Sequence, residues 1–368
     1  MKAPRTVSIT DCLDRLDDYD AILDARSPAE FEIDRLPGAS NAPVLDDRER
    51  AEVGTLHARA GAFAARRRGA ALVARNIGNL IESRFQAMPA DWRPLVYCWR
   101  GGNRSASLAI VLSRVGWRVE VLEGGYRAYR RQVVAEIERL PQRLRFIVVA
   151  GRTGVGKSRL LQALAGRGLQ VLDLEMLANH RGSVLGPVPD SPQPSQKAFE
   201  SGLCRALRGF DERRPVFVES ESRKIGQLQV PGPLIERMRA AECIVLGASP
   251  SFRTRLLREE YAHFLDDPSL LAQRLSALVP LHGKARVGHW ETLAHRGDWD
   301  ELVGELLVAH YDPAYERSMA RNFERLAEAR VLELEARLAS GADCDAAIAR
   351  AADELAGLDP LAPAGGSD

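Results

Sequence analysis

Two short stretches of the 368-residue chain combine residue types that bind anions and act on them. The first, residues 151–158, reads GRTGVGKS and fits the pattern G-x-x-x-x-G-K-[ST]. It follows an apolar, β-branched run at 146–149 that predicts a buried strand, and a helical pattern continues from Arg159. In this order of strand, loop and helix, backbone N–H groups and the helix dipole bind phosphate. The sequence therefore predicts a phosphate-binding loop.

The pattern also assigns roles within this loop. Lys157 is expected to contact terminal phosphates, and Ser158 is expected to ligate Mg²⁺. The motif does not identify the phosphate compound, but the absence of N-K-x-D from the sequence disfavours a GTPase. The predicted phosphate-binding residues are Gly151, Thr153, Gly154, Gly156, Lys157 and Ser158.

The second stretch, residues 98–105, reads CWRGGNRS. Cys98 ends a short apolar run predicted as a strand, and a helical pattern begins at Ser105. Loop N–H groups, the helix dipole, Arg100 and Arg104 would favour a thiolate and hold an anion. The predicted catalytic residues are therefore Cys98, Arg100 and Arg104, with the sulfur as nucleophile. The other cysteines are expected to be buried structural residues: Cys12, Cys204, Cys243 and Cys344.

Acidic residues end two further predicted strands, at Asp173 and at Glu219. Together with Ser158 they are the predicted Mg²⁺ ligands, because a neighbouring strand of such proteins usually supplies an acid. The alternation of strand and helix from 145 to 247 predicts a parallel α/β sheet. A proline-rich stretch at 184–194 is predicted to be a substrate loop or lid. The residues assigned to substrate are His180, Arg181, Glu221 and Arg223, although a solvated loop histidine is an equal alternative for the first.

Composition excludes several classes of protein. The chain has 51 Lys and Arg against 50 Asp and Glu, so a global nucleic-acid signature is missing, although a local basic face would be enough to bind RNA. Five cysteines without a C-x-x-C pair disfavour a disulfide framework or structural zinc site, and fit a reducing cytoplasm. We expect no signal peptide and no membrane span, because no apolar run approaches roughly 18 residues.

The first third of the chain resembles the rhodanese domain. The spacing from Cys98 to Arg104 is one residue longer than in typical sulfurtransferases and is similar to the C-x5-R of related phosphatases. A phosphatase-like domain fused to an ATP-driven switch, and a general rhodanese-type sulfurtransferase, therefore both stay open. The matching segments are Asp24-x-Arg26, Glu30-Phe31, Gly38-Ala39-x-Asn41-x-Pro43, the Cys98 loop and 122–126 (LEGGY).

Over nearly its whole length the chain resembles the tRNA 2-selenouridine synthase family, through YCWRGGNRS, GRTGVGKS, LDLE…NHRGS and VESES in that order. The resemblance implies a transferase that replaces sulfur by selenium in wobble 2-thiouridine of tRNA. Its substrates would be selenophosphate and geranyl diphosphate, with an S-geranylated 2-thiouridine as intermediate. The resemblance implies that the phosphate-binding loop binds geranyl diphosphate rather than ATP. Cys98 would act in selenium transfer, either carrying selenium as a selenosulfide or assisting direct attack on the base.

The implied partners are tRNA with 2-thiouridine at the wobble position and an enzyme that supplies selenophosphate, in the cytoplasm. A non-catalytic RNA-binding module is disfavoured, since it would leave two chemically poised loops unexplained. The predicted fold class is α/β, and helical patterns cover 291–307 and 314–355. The predicted organisation is a rhodanese-like domain at 1–135, a linker at 136–144, a P-loop NTPase-like parallel α/β domain at 145–315, a helical region at 316–358 and a disordered tail at 359–368.

Overall fold

The computed structural model describes residues 3–182, 186, 191–335, 343–359 and 361. Contacts divide the chain into two units, Met1–Glu136 with Ser195–Ser201, and Ile137–Pro194 with Gly202–Asp368. Each unit contains a parallel five-stranded sheet, and the second also has a two-stranded antiparallel ribbon. The predicted α/β class is therefore confirmed. Within the described residues, no helix has the length and apolar character needed to cross a membrane.

The first unit alternates strands and helices. Its strands lie in the order β1-β5-β4-β2-β3, so β4 is central, and all four of its residues are buried. The prediction that 94–97 and part of 19–25 form strands is confirmed. The elements are β1 (Arg5–Val7), α1 (Ile9–Asp14), β2 (Ala21–Asp24), α2 (Pro28–Ile33), β3 (Ala39–Asn41), α3 (Asp47–Leu80), β4 (Pro94–Tyr97), α4 (Asn103–Val115), β5 (Glu120–Leu122) and α5 (Gly125–Arg139).

A buried ion pair fixes the carboxyl edge of this sheet. Asp24 ends β2 in register with Tyr97, the last residue of β4. The Arg26 guanidinium bonds Asp24 at 2.6 Å and lies 4.1 Å from the centre of the Tyr126 ring. Both charged side chains are almost completely buried, so their pairing is what makes the burial tolerable. This edge is where the chain leaves β4 and enters the Cys98 loop.

The linker predicted at 136–144 contains the end of α5 and a short 3₁₀ turn, Leu140–Arg143, at the start of the second unit. Its strands lie in the order β12-β11-β6-β8-β7. The strand predicted over 146–149 lies within Arg145–Gly151, and the strands predicted to end at Asp173 and Glu219 are Gln170–Leu172 and Pro215–Glu219. The alternation predicted up to residue 247 ends with a strand at Glu242–Gly247. The elements are β6 (Arg145–Gly151), α6 (Lys157–Gly166), β7 (Gln170–Leu172), α7 (Leu174–Ala178), α8 (Gln196–Arg208), β8 (Pro215–Glu219), β9 (Lys224–Ile225), β10 (Leu228–Gln229), α9 (Gly232–Arg239), β11 (Glu242–Gly247), α10 (Pro250–Glu260), α11 (Ala262–Asp266), α12 (Pro268–Leu275), α13 (Val279–Arg296), α14 (Trp299–Leu306), α15 (Asp312–Asn322), β12 (Arg330–Glu333) and α16 (Cys344–Ala356).

Helices α15 and α16 confirm a helical C-terminal region, but a strand interrupts the helical pattern predicted at 314–355. β12 pairs in parallel with β11 and extends the sheet, between helices α15 and α16. The apolar residues here were assigned to a helical stripe. In the structure Leu332 is buried against the sheet whereas Val331 is 58% exposed, and this alternation is that of a strand. Residues 336–342 lie outside the described residues.

The predicted disordered tail at 359–368 also needs correction at its first residue. Asp359 is buried, and its carboxylate accepts from Arg214 at 2.7 Å, so the ordered structure reaches at least this point. Residues 360 and 362–368 lie outside the described residues.

Candidate active site

The phosphate-binding loop connects β6 to α6 in the second unit, as the sequence predicts. Lys157, the first residue of α6, donates from Nζ to the carbonyl oxygen of Gly151 at 2.8 Å. The last residue of the strand is thereby tied to the first residue of the helix. A glycine-rich loop between a strand and a helix N-terminus is a placement in which backbone N–H groups bind phosphate.

Arg253 of α10 holds the loop from outside. It is buried, donates from Nε to the Thr153 carbonyl at 2.8 Å and pairs with Asp312 at 2.6 Å. Gly154 lies against the same helix with φ of +83°, and a Cβ there would lie 2.8 Å from Leu257 Cδ1. Glycine is therefore required at this position both by backbone conformation and by space.

Acidic residues continue from the loop in a connected series. Ser158 Oγ donates to Glu175 Oε2 at 2.8 Å, and the Glu175 backbone N–H donates to Glu219 Oε1 at 2.8 Å. Glu219, the last residue of β8, is 2% exposed, and its Oε2 has no hydrogen-bond partner among the described residues. Asp173 caps α7 by accepting from the Met176 N–H at 2.7 Å. Glu175, which the sequence places with Asp173 where such folds meet substrate or metal, thus links the predicted metal ligands.

Burial and neighbouring carboxyls raise the pKa of three carboxyls around this loop. Burial, and then the nearby Asp173, raise the pKa of Glu219 well above its usual value. Burial and Glu175 raise the pKa of Glu221 to about 8, with Lys157 opposing them. Burial likewise raises the pKa of Asp173. Carboxylate and hydroxyl oxygens are hard donors, so this set, with an unpaired buried oxygen at Glu219, fits Mg²⁺.

The predicted substrate residues do not share one environment. His180 is buried, and its Nδ1 accepts from the Gly182 N–H at 3.1 Å, so the proton of the neutral ring is on Nε2. Burial lowers the pKa of His180. Arg181 donates to the Glu260 carbonyl at 2.5 Å. The alternative of a solvated loop histidine does not hold. Of the predicted lid, only 186 and 191–194 are described.

These residues surround a cavity of about 760 Å³ in the second unit. Its described lining excludes three predicted residues: Gly151 and Glu219, which are buried in the sheet, and Arg223, which is exposed. The predicted residues in the lining are Thr153, Gly154, Gly156, Lys157, Ser158, Asp173, His180, Arg181 and Glu221. The lining also includes Glu175 and residues that sequence reasoning missed, among them Glu260, Tyr261, His310, Tyr311 and Tyr315.

The Cys98 loop, in the first unit, forms a separate site. Cys98 follows β4 directly and is 3% exposed, and Ser105 Oγ lies 3.1 Å from its sulfur as a donor. The Tyr126 N–H donates to the Cys98 carbonyl at 2.8 Å. A Cβ on Gly125 would lie 2.2 Å from that carbonyl oxygen. The start of α5 therefore fixes the position of the loop. The Cys98 sulfur is not in a disulfide and contacts the Ser105 hydroxyl instead.

The two arginines of this loop differ. Arg104 is mostly buried and forms an ion pair with Glu30, with Nη2 and Oε1 3.3 Å apart. Glu30 also accepts from the Ser27 N–H at 3.2 Å, within the predicted N-cap of α2. Although burial opposes it, Arg104 lowers the pKa of Glu30. Arg100 is exposed. Arg104 is thus a positioned cation, whereas Arg100 is a solvent-facing one. The Ser105 and Glu30 contacts were not predicted, although both residues lie within quoted motifs.

Known proteins resemble both units. A family model described as "tRNA 2-selenouridine synthase AAA domain" matches residues 144–275, and one for the rhodanese-like domain matches residues 8–132. A tRNA 2-selenouridine synthase of Nitrosomonas europaea is 34% identical, over 70% of this chain and 67% of the relative. One from Hahella chejuensis is 33% identical, over 83% of this chain and 87% of the relative. One from Alcanivorax borkumensis is 31% identical, over 82% and 90% respectively.

Proposed function

The chain belongs to the tRNA 2-selenouridine synthase family and is an enzyme, and we propose that it converts wobble 2-thiouridine of tRNA into 2-selenouridine in two steps. The observation that carries the proposal is the presence of two loops of different chemistry. A closed phosphate-binding loop with neighbouring carboxyls suits a diphosphate, and a buried cysteine with a positioned arginine suits a phosphoryl group.

The first step is alkylation of the base. The thiocarbonyl sulfur of 2-thiouridine attacks C1 of geranyl diphosphate, the carbon–sulfur bond forms, and the C1–O bond breaks with release of diphosphate. Lys157 and the loop N–H groups bind the charge that develops on this leaving group. S-Alkylation turns sulfur into a better leaving group for the second step.

The donor set described above is proposed to hold Mg²⁺ through Ser158, Glu219 and Asp173, together with Glu175, which contacts the first two. A divalent cation supplies charge that offsets the diphosphate. Among the described residues, Glu219 is the buried carboxyl with an unpaired oxygen next to this loop, which supports a cation there.

The second step is selenium transfer. Selenium of selenophosphate attacks C2 of the base, the Se–C2 bond forms, and geranylthiolate leaves. The selenium of selenophosphate is at the selenide level, so this route needs no redox partner. A selenosulfide on Cys98 requires the removal of two electrons, and the proposal includes no oxidant. Direct attack is therefore the route we propose, and it leaves a phosphoryl group on selenium.

Cys98 is proposed to remove that phosphoryl group. Its sulfur attacks phosphorus, the S–P bond forms, and the Se–P bond breaks with the electron pair staying on selenium. Water then hydrolyses the S–P bond and releases phosphate. Arg104 binds the phosphoryl oxygens, and Ser105 donates a hydrogen bond to the sulfur when it is a thiolate. The C-x5-R spacing from Cys98 to Arg104 supports this role.

The test is nucleoside mass spectrometry on thiolated tRNA incubated with the protein. Geranyl diphosphate alone is expected to give S-geranylated 2-thiouridine, and later addition of selenophosphate is expected to give 2-selenouridine. Parallel reactions with ATP, a phosphoester, or thiosulfate and cyanide test the alternatives. Turnover of one of these with unchanged tRNA would replace the proposal by a phosphatase, ATP-switch or sulfurtransferase function.

A further inference from the structure

A second, apolar cavity lies beside the phosphate-binding loop within the second unit. Helices α10, α11, α12 and α14 and the π-helical turn Leu307–Tyr311 supply most of its lining. It shares part of its lining with the 760 Å³ cavity, so the two spaces adjoin. The shared residues are Thr153, Leu257, Tyr261 and Tyr311.

The chemistry of this second cavity differs from that of the first. Its lining is mostly leucine and aromatic side chains, including Leu302, Leu306 and Trp299. Arg258, the charged member, pairs with Asp300 at 2.8 Å. A nucleotide base would bring polar edges into such a space, and these would lose their hydrogen bonds to water without replacement. A hydrocarbon chain has no hydrogen bonds to lose on entering this cavity, and removal of its apolar surface from water is favourable.

We propose that this cavity binds the hydrocarbon chain of a prenyl diphosphate whose diphosphate is held by the phosphate-binding loop. The inference rests on the proposed function and adds to it the location of the chain and the residues that select its length. Thr153 lies in the loop and in both linings, so a ligand that spans them has its anionic and apolar ends on either side of this residue.

The size of the cavity favours a short chain. The space between its lining atoms is about 560 Å³ including the open mouth, but only about 60 Å³ is wide enough for water. A chain therefore enters by displacing side chains. The π-helical turn, which interrupts the regular hydrogen bonding between α14 and α15, is the element best able to adjust. We expect geranyl, with ten carbons, to bind more tightly than farnesyl, with fifteen.

The test compares the affinities of inorganic diphosphate and of dimethylallyl, geranyl and farnesyl diphosphates by calorimetry with the full chain. Val303→Trp fills the cavity from a partly exposed position, and Trp299→Ala enlarges it. The control is Val308→Trp, at a 73% exposed position of the π-helical turn outside the lining. Circular dichroism and an unchanged affinity for inorganic diphosphate show that each variant is folded.

Wild type and Val308→Trp are expected to bind geranyl diphosphate at least tenfold more tightly than inorganic diphosphate. In Val303→Trp this ratio is expected to fall to about one, and in Trp299→Ala the preference is expected to move to farnesyl. If both cavity variants kept the wild-type ratio of affinities for geranyl diphosphate and inorganic diphosphate, the hydrocarbon chain would not bind in this cavity. The proposed function would then stay intact. A ratio of one in the wild type would instead remove the geranyl step itself, and this inference with it.

Discussion

Ser105 Oγ lies 3.1 Å from Cys98 Sγ, and both side chains are buried at the carboxyl end of β4. The same hydroxyl also lies 3.1 Å from the Gly102 carbonyl, so its proton has two acceptors. Ionisation of the thiol would direct that proton to sulfur, because a hydrogen bond to a charged acceptor is the stronger one. The hydroxyl therefore stabilises the attacking form of Cys98.

Replacement of Ser105 by alanine is expected to slow the second step by about 10- to 100-fold, since hydrogen bonds to charged groups contribute roughly 1.5–3 kcal/mol. The measurement is single-turnover conversion of S-geranylated tRNA to 2-selenouridine. Ser107→Ala, on the same helix α4, is the matched control and is expected to react at the wild-type rate. Equal rates for the two variants would contradict the role given to Ser105.

Gly154→Ala is expected to weaken diphosphate binding strongly and to destabilise the second unit. The new Cβ meets Leu257 at 2.8 Å and the Arg253 carbonyl at 3.1 Å, in a backbone conformation with φ of +83°. Strain of this kind costs about 1–3 kcal/mol. Urea unfolding and diphosphate titration measure the two effects.

Gly78→Ala provides the contrast for that substitution. Gly78 is exposed within α3, and a Cβ there would have no described neighbour within 4 Å. Alanine in a helix is favoured over glycine by roughly 0.5–1 kcal/mol, so this variant should be slightly more stable than the wild type. If Gly154→Ala were as stable and bound diphosphate as well, the proposed packing of the loop against α10 would be wrong.

The raised pKa of Glu221 leads us to expect that its contribution to stability changes with pH in the opposite direction to that of a carboxyl whose pKa is lowered by folding. Its pKa is raised to about 8 in the folded protein, chiefly by burial, whereas an unfolded glutamate titrates near pH 4.3. Between these values the folded state binds more protons, so its contribution to the free energy of unfolding falls as the pH rises from about 4 to 8.

Glu221→Gln should therefore flatten the decline of unfolding free energy over this pH range and should be more stable than the wild type above pH 8. The measurement is urea unfolding across pH 5–9 with a chelator present. Glu138→Gln, at an exposed position of α5, should retain the wild-type slope. A wild-type slope in Glu221→Gln would show that this carboxyl does not carry the effect.

Local sequence signals were enough to predict the two loops and the strands before them. β4 is an apolar run directly before Cys98, and β6 is an apolar run that ends at Gly151. These features depend on residues adjacent in the chain, so a single sequence contains them.

Features that depend on distant residues were not predicted. β12 is a strand because β11 offers it an edge, and its own apolar pattern was compatible with a helix. Arg253 is buried because Asp312 and the Thr153 carbonyl, both distant in sequence, bind its guanidinium. Tyr261 and Tyr311 line the same cavity as the phosphate-binding loop, and they come from segments whose sequence contains no motif. Tertiary packing, rather than local pattern, created each of these contacts.

The most direct test of the division between two sites is a crossed pair of variants, Lys157→Ala and Cys98→Ser, followed by nucleoside mass spectrometry. Lys157→Ala is expected not to geranylate thiolated tRNA, yet to selenate tRNA supplied already S-geranylated. Cys98→Ser is expected to geranylate normally and to form no 2-selenouridine. Selenation at the wild-type rate by Cys98→Ser, or geranylation at the wild-type rate by Lys157→Ala, would contradict the account.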